Sequence, residues 1–499
     1  MEKVFFRPGQ SYVGDVIPYY ENGVYYLFFL NDRRKTDRTA DQTAWGLVTT
    51  RDFVHYEDHG IVLPNSPVTE ADNCCYTGCV YKKADGDYHL FYTAHNNDNP
   101  AFMDENGNPI QTVMHATSTD LFHWQKHPDR FGSDGRLYTK LDWRDPFVYW
   151  NPEEECYNML LAARRQKGSF RHGGCVLKCR SYDLWSWEAD EPLFNPEAYF
   201  AHECPDLFFM GGWWYLVYST FTERFSTHYR LSRSINGPWL SRPQDTWDAR
   251  AYYAAKTAGT SEQRYAFGWI PTRKGRRDSG RYEWGGNLCV HELTQQSDGT
   301  LLVRMPESVA HSFNQEHSPV FLPEYGGTAV IENGWELKAE EKNLSLVMDQ
   351  LPEQCLIEAD LCFDPGIRHF GLALNWGDDL DDGYFFRLEP FYNRLVFDRW
   401  PRSPLSDDCQ QQHYLGGDIP FQVELERPVI FGTSQEIHLQ TLVEDDIAVC
   451  YVNHTAALSV RLYDLLKNRR WGFFAADGKL QVKNLRVFTR KNEIDRKID

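Results

Sequence analysis

The chain has 499 residues and a formal net charge of −19, and no apolar run approaches the ~20 residues needed to span a bilayer. Its negative field repels polyphosphate and anionic lipid, which disfavours nucleic-acid and membrane-surface partners. The length exceeds one ordinary core and suits two large all-β domains. Residues 1–8 lack the apolar stretch and small-residue cleavage site of a signal peptide, so the twelve scattered cysteines read as reduced thiols of a cytoplasmic protein. They lack metal-ligand spacing and no His-Glu-x-x-His is present, so neither a metal nor a cofactor is expected. The 16 Trp, 28 Tyr and 31 Phe suit a β-rich core. Flat rings beside many carboxylates also suit a sugar site.

From the N-terminus, an alternating aromatic strand behind a Gly or polar turn recurs five times, at residues 22–29, 85–92, 155–161, 211–218 and 264–270. A second phrase follows the first three copies: Thr50-Arg51-Asp52-Phe53-Val54-His55-Tyr56, Ser118-Thr119-Asp120-Leu121-Phe122-His123-Trp124 and Ser181-Tyr182-Asp183-Leu184-Trp185-Ser186-Trp187. Its Asp positions are 68 and 63 residues apart, and residues 232–239 are a looser fourth copy. The Asp suits a turn cap, with the last aromatic packing back into a sheet. Five such units of roughly 50–70 residues predict an all-β fold that begins with a five-bladed β-propeller over residues 1–317.

Residues 318–325 hold two prolines and read as a linker. Ten short strand candidates follow, at 355–363, 369–376, 383–388, 394–400, 421–425, 436–443, 447–452, 457–462, 471–474 and 481–488, and predict a C-terminal β-sandwich over 318–499. Asn453-His454-Thr455 matches a glycosylation sequon but reads as a hairpin turn.

In a propeller the innermost strand of each blade lines one central pocket. Those strands should lie just upstream of the aromatic ones, at residues 13–20, 76–81, 143–148, 202–208 and 251–255. Three of them begin with a carboxylate: Asp15, Asp145 and Glu203. Any one acid among 71 is a weak signal; three on one rim is harder to assign to strand starts alone. Converging carboxylates with aromatic walls suit glycoside hydrolysis, which needs one protonated carboxyl as acid and one ionised carboxylate as nucleophile or water-positioning base.

Trp143-Arg144-Asp145-Pro146, Glu203-Cys204-Pro205-Asp206-Leu207-Phe208, residues 247–254 and residues 293–306 together resemble glycoside hydrolase family 32, the β-fructofuranosidases, and more broadly the clan shared with family 68. Residues 436–462 are similar to that family's C-terminal module. The resemblance implies Asp15 as nucleophile, Glu203 as acid/base and Asp145 as transition-state stabiliser, in a retaining hydrolysis of sucrose or short fructo-oligosaccharides through a covalent intermediate. Asp206 reads as structural. Blade one departs from the pattern: Gly14-Asp15-Val16-Ile17-Pro18 keeps only the Asp, Leu30 replaces a Gln beside Asn31, and Trp45-Gly46-Leu47 lacks a His. Candidate substrate contacts are Asn31, Trp45, Tyr76, Thr77, Trp143, Arg144, His202, Tyr252 and Trp269, with blade packing as the alternative reading of each Trp or Tyr.

Three alternatives stay open on sequence: an inverting furanosidase resembling family 43, a fructosyl transferase, and a sugar-binding paralogue without activity. The expected partner is a small oligosaccharide. The C-terminal module is open to bracing, carbohydrate binding or homo-oligomer formation.

Overall fold

The structure, a computed structural model, describes residues 2–34, 43–84, 86–222, 225–400, 424–463 and 470–490. It is nearly all β. The chain divides into two compact units, one of Met1–Trp247, Tyr252–Ile270 and Trp284–Leu301, the other of Asp248–Ala251, Pro271–Glu283 and Leu302–Asp499.

The first unit is built on antiparallel strands β1 (Tyr12–Glu21), β2 (Val24–Asp32), β3 (Ala44–Thr50), β4 (Tyr56–Leu63), β5 (Cys74–Lys82), β6 (Tyr88–His95), β7 (Gln111–Ser118), β8 (Gln125–Phe131), β9 (Tyr138–Asn151), β10 (Cys156–Arg165), β11 (Gly174–Ser181), β12 (Glu188–Phe194), β13 (Glu203–Met210), β14 (Trp213–Thr220), β15 (Ser226–Ser232), β16 (Tyr253–Gly259), β17 (Arg264–Arg273) and β18 (Tyr282–Gln295). Strands β5–β8, β9–β12 and β13–β15 form separate sheets in chain order. Strands β16–β18 join β1–β4 in a wider sheet through the β1–β18 pair, whose register runs through Val13 opposite Gly286. The first strands of successive groups lie against one another in the cycle β1, β5, β9, β13, β16 and back to β1.

Each neighbouring pair of sheets buries its own apolar layer. Leu30, Trp45, Leu90 and Tyr92 fill the first, Phe91, Trp143, Met159 and Leu177 the second, and Leu160, Leu207, Leu216 and Tyr218 the third. The repeated Ser/Thr-x-Asp phrase holds the outer turns as its chemistry suggests. The hydroxyl of Thr50, Ser118 or Ser181 accepts the N–H of Phe53, Leu121 or Leu184, while the Asp carboxylate accepts the next two N–H groups. Phe53, Leu121 and Leu184 take left-handed φ of 61°, 71° and 71°. The closing aromatics Tyr56, Trp124 and Trp187 donate back to their carbonyls at 3.1, 3.0 and 3.3 Å, so each turn locks itself to the sheet edge.

The second unit centres on the 20-residue strand Arg470–Thr489, which pairs with Gly334–Met348, Gln354–Phe363 and His369–Trp376. Leu346, Ile357, Leu372, Phe386, Leu439 and Val482 form its core. Sequence patterning splits that strand at Asp477-Gly478. In the structure a bulge between Ala339 and Asn343 of the partner strand, with Asp477 at φ 52°, bends it without a turn. The candidate strand 421–425 lies mostly outside the described residues, and Leu425–Pro428 is a strand. Asn453 and His454 form the left-handed turn between Ile447–Val452 and Ala456–Arg461. Two short segments from the middle of the chain belong to this unit through buried carboxylates. Asp248 accepts Ser459 N at 2.8 Å and Oγ at 2.5 Å, and Asp278 accepts Tyr463 N at 3.0 Å and the Tyr384 hydroxyl.

Trp143 packs against Phe131 and Tyr138 with no room for water to replace it. Trp143→Ala is expected to lower stability by about 3–5 kcal/mol, seen in urea titration as a lower midpoint at unchanged slope.

Candidate active site

The strands β1, β5, β9, β13 and β16 each carry one extra residue near their start. The register slips between Val13 and Val16, Tyr76 and Gly78, Arg144 and Phe147, Glu203 and Asp206, and Tyr253 and Lys256. Such bulges bend a strand and re-aim its side chains. Asp145, Cys204 and Ala254 take left-handed φ of 58°, 52° and 52° at these points. For residues with a Cβ this costs on the order of 1–2 kcal/mol each, so the surrounding packing must enforce it. The three carboxylates lie at these bulges but not at one register position. Glu203 precedes its bulge, Asp145 is the first residue within it, and Asp15 is the last.

Asp15 Oδ2 accepts the Thr77 hydroxyl at 2.6 Å, and Oδ1 accepts the Trp269 indole N–H at 3.0 Å. Cys204 joins two acids: its N–H donates to Asp145 Oδ2 at 2.9 Å and its Sγ lies 3.6 Å from Asp15 Oδ2. The Asp145 N–H donates to Thr93 Oγ1 at 2.8 Å, and the Thr93 hydroxyl donates to the Thr77 carbonyl at 3.0 Å. Glu203 accepts Arg144 Nη2 at 3.1 Å on one oxygen and the Tyr253 hydroxyl at 2.7 Å on the other. Tyr253 is held by Phe225, stacked at 3.9 Å. Behind Arg144 stands an alternating relay: Nη1 donates to Asp142 at 2.7 Å, and Arg164 Nε donates to the other Asp142 oxygen at 2.6 Å.

Burial raises the Asp15 pKa, and the Glu203 charge pushes the same way against the Thr77 and Trp269 donors. Asp145 is raised by burial and by Glu203, with Arg144 opposing. Burial works against the Arg144 charge, but Glu203, Asp142 and Asp145 outweigh it and hold the guanidinium protonated. Burial likewise raises Asp142, while Arg144 and Arg164 more than offset it and keep its pKa low.

Of the residues singled out from the sequence, Asp15, Thr77, Arg144, Asp145, Glu203 and Trp269 come together here. Tyr76 packs at a tilt against His95, and its carbonyl accepts the Trp45 indole N–H. Asn31 is partly buried opposite Val13, and its Oδ1 has no hydrogen-bond partner among the described residues. Trp45, Trp143, His202 and Tyr252 are 0, 2, 0 and 1 % exposed, and Trp45 and Trp143 take part in the inter-sheet layers, the packing alternative given above for each Trp or Tyr. His202 sits among Phe194, Tyr199 and Tyr218, and burial lowers its pKa to about 3. Trp143, His202 and Tyr252 each immediately precede a site residue (Arg144, Glu203 and Tyr253). Trp143 faces the opposite way from Arg144 along its strand, into the inter-sheet layer, whereas His202 and Tyr252 stand just before β13 and β16 begin.

The sequence reading missed Tyr253, Thr93, the Asp142–Arg164 relay and Trp284. The available signal for Tyr253 was its place within the fifth inner strand, residues 251–255. Trp284 was not legible, because nothing local ties residue 284 to residue 14. Gly14 lacks the side chain that would occupy this place: a Cβ there would stand 2.1 Å from the Trp284 ring. Trp284 packs edge-on to Trp269 at 5.9 Å and walls the site beside Asp15.

Residues 6–306 match the glycosyl hydrolases family 32 N-terminal domain, and the chain belongs to glycoside hydrolase family 32. It is 26% identical over 333 residues to a sucrose-6-phosphate hydrolase of Escherichia coli, covering 60% of this chain and 66% of that one. It is 21% identical over 333 residues to an insoluble β-fructofuranosidase isoenzyme of Arabidopsis thaliana, covering 60% and 56%. The chain thus spans somewhat less than two thirds of the length of these curated relatives. In fold it is similar to the crystal structure of an exo-inulinase from Aspergillus awamori, with a TM-score of 0.72 at 14% identity over 98% of both chains.

Gly14→Ala should force the Trp284 ring aside. Overpacking of this kind costs about 1–3 kcal/mol, and the displaced indole should shift the intrinsic tryptophan fluorescence relative to a Gly9→Ala control, where the added Cβ meets open space.

Proposed function

We propose that this protein is a retaining glycoside hydrolase that removes a terminal β-fructofuranosyl unit from sucrose or short fructo-oligosaccharides. The observation that carries the reading is the tying of Asp15, Asp145 and Glu203 to one another through Cys204 and Arg144. Glu203 protonates the departing glycosidic oxygen while Asp15 attacks the anomeric carbon. Glu203, now a carboxylate, then takes a proton from the water that releases the fructosyl–Asp15 ester. Asp145, braced by the Cys204 N–H, grips ring hydroxyls as positive charge develops on the sugar. Retention needs the two reacting carboxyls ~5–5.5 Å apart.

The same reading takes the cycle of first strands as five blades, with β16–β18 as the fifth blade joined edgewise to the first, and takes the second unit as a β-sandwich. It also takes the protein as cytoplasmic, acting on small imported sugars. The relatives' names, sucrose-6-phosphate hydrolase and β-fructofuranosidase, support the choice of a fructofuranosidic bond.

Proton NMR of digests of sucrose and short inulin-type oligosaccharides tests the reaction. β-Fructofuranose appearing first supports retention; α-fructofuranose first would instead mean inversion, and no fructose release would overturn the reading. Glu203→Gln is expected to lower kcat by about 10²–10⁴-fold, and Asp15→Asn to remove turnover with the fold intact. Asp145→Asn should lower kcat more than it changes KM, because its contact strengthens in the transition state.

Asp15 must be ionised to attack, so the rate falls as pH drops through its pKa. Burial has placed that limb above the ordinary aspartate range. Thr77→Val deletes a donor that favours the carboxylate, so the acidic limb of kcat/KM should move to higher pH. A limb that stays in place or moves down would count against Asp15 as nucleophile.

A further inference from the structure

Three phenylalanines cluster on segments that adjoin Glu203 in sequence or strand pairing, or that share Arg164 with one that does. Phe170 is 69 % exposed, Phe221 is 40 % exposed and Phe200 is partly buried between them. The Phe200 ring lies 5.4 Å from Phe170 and 6.0 Å from Phe221. Phe200 precedes Glu203 by three residues. Phe221 directly follows β14, whose Ser219 pairs with Glu203. Phe170 lies in the connection from β10 to β11.

These rings are held in place. The Arg164 guanidinium sits 4.7 Å from the Phe170 ring centre and 4.6 Å from that of Phe200. Arg164 is itself anchored on Asp142, which holds the Arg144 that reaches Glu203. A continuous line of contacts thus runs from the exposed rings to the proposed acid. Exposed aromatic groups rimmed by polar residues mark ligand surfaces, since solvating them brings no folding benefit.

Glu203 delivers its proton to the leaving oxygen, so whatever lies beyond the scissile bond must lie on the Glu203 side. Three rings without a hydroxyl offer flat apolar faces, which match the C–H faces of sugar rings. Phe200 with a ring on either side makes a run longer than one hexose. Of the nearby guanidinium groups, Arg164 is committed to Asp142 and Arg165 pairs with Glu197 at 3.2 Å, while Arg171 on the Phe170 loop is exposed.

We propose that Phe170, Phe200 and Phe221 form a platform for the leaving-group part of a neutral oligosaccharide, so that the protein prefers chains of three or more sugars to sucrose or sucrose 6-phosphate. This deepens the fructofuranosidase reading and rests on it.

The test compares kcat/KM for sucrose, sucrose 6-phosphate, 1-kestose and an inulin-type tetrasaccharide in wild type, Phe170→Ala, Phe221→Ala and the double variant. Wild type should favour the two longer neutral substrates. Loss of the rings should lower the tetrasaccharide-to-sucrose ratio by about tenfold in the double variant, carried by KM. Phe170→Leu and Phe221→Leu, which keep the apolar volume and lose the flat face, decide the matter in the same way if the alanine variants fold poorly. Fructose release with an unaltered ratio would overturn the platform and leave the hydrolase reading standing. So would a wild-type preference for sucrose or for sucrose 6-phosphate, the latter engaging exposed Lys167 and Arg171 on the Phe170 loop. Absence of fructose from all four substrates would overturn both.

Discussion

Placing Asp15, Asp145 and Glu203 around one depression forces like charges together where water is scarce, and the first unit is organised around offsetting that repulsion. Each carboxylate has its own answer. Asp15 is stabilised by neutral donors, Thr77 and Trp269, which favour the charge without cancelling it. Asp145 takes a backbone N–H from Cys204 and stands near the Arg144 guanidinium. Glu203 alone takes a direct Arg144 hydrogen bond together with a phenol. A single buried guanidinium among three acids would be pulled toward whichever was most charged. Asp142 fixes it from behind, and Arg164 fixes Asp142, so the relay is structural in purpose although every member is charged. Removing Asp142 would leave Arg164 without its carboxylate and Arg144 held only by the site acids, which is why such networks are sensitive to single substitutions.

This arrangement depends on backbone geometry before it depends on side chains. An unbulged strand would direct alternate residues to opposite faces, sending consecutive groups such as Arg144 and Asp145 apart. With the extra residue at each slip, both come into the same depression, and likewise Glu203 and the Cys204 N–H that serves Asp145. The left-handed φ at Asp145, Cys204 and Ala254 is the cost of that redirection. Thr93 accepts the Asp145 N–H and donates to the Thr77 carbonyl, so two neighbouring bulges share one hydroxyl and hold each other open.

That geometry also explains what was legible in the sequence. The turns were readable because their determinants are local: Ser118, Asp120 and Trp124 act within seven residues and repeat with the sheets. The carboxylates were readable because each stands at the start of an inner strand with an aromatic strand behind it. Whether Trp143 or Arg144, His202 or Glu203, Tyr252 or Tyr253 faces the site depends on register at a bulge, and a bulge has no compositional mark when its residue is Ala254 or Cys204. Patterning therefore named both residues of the first two pairs, and of the third only Tyr252. In the second unit the same effect hid the continuity of Arg470–Thr489, since Asp477-Gly478 looks like a turn and functions as a bend. Asp248 and Asp278 were beyond reach for another reason. Their partners, Ser459, Tyr463 and Tyr384, lie more than a hundred residues away.

The segment around Asp15, where the sequence departs from the motif its resemblance implies, follows from the same logic. A side chain at position 14 would project where the Trp284 ring lies, so glycine and tryptophan are mutually dependent choices. In place of a side chain at position 14, the Trp284 indole lies near Asp15 as a flat apolar surface that joins Trp269. That surface also excludes water from Asp15, which strengthens the interaction of its carboxylate with Thr77 and Trp269 and raises its pKa through desolvation. The altered motif is therefore compatible with a working nucleophile. On the function proposed above, its effect would fall on which sugar the wall accepts, because apolar faces discriminate by shape while hydrogen-bonding groups discriminate by hydroxyl position.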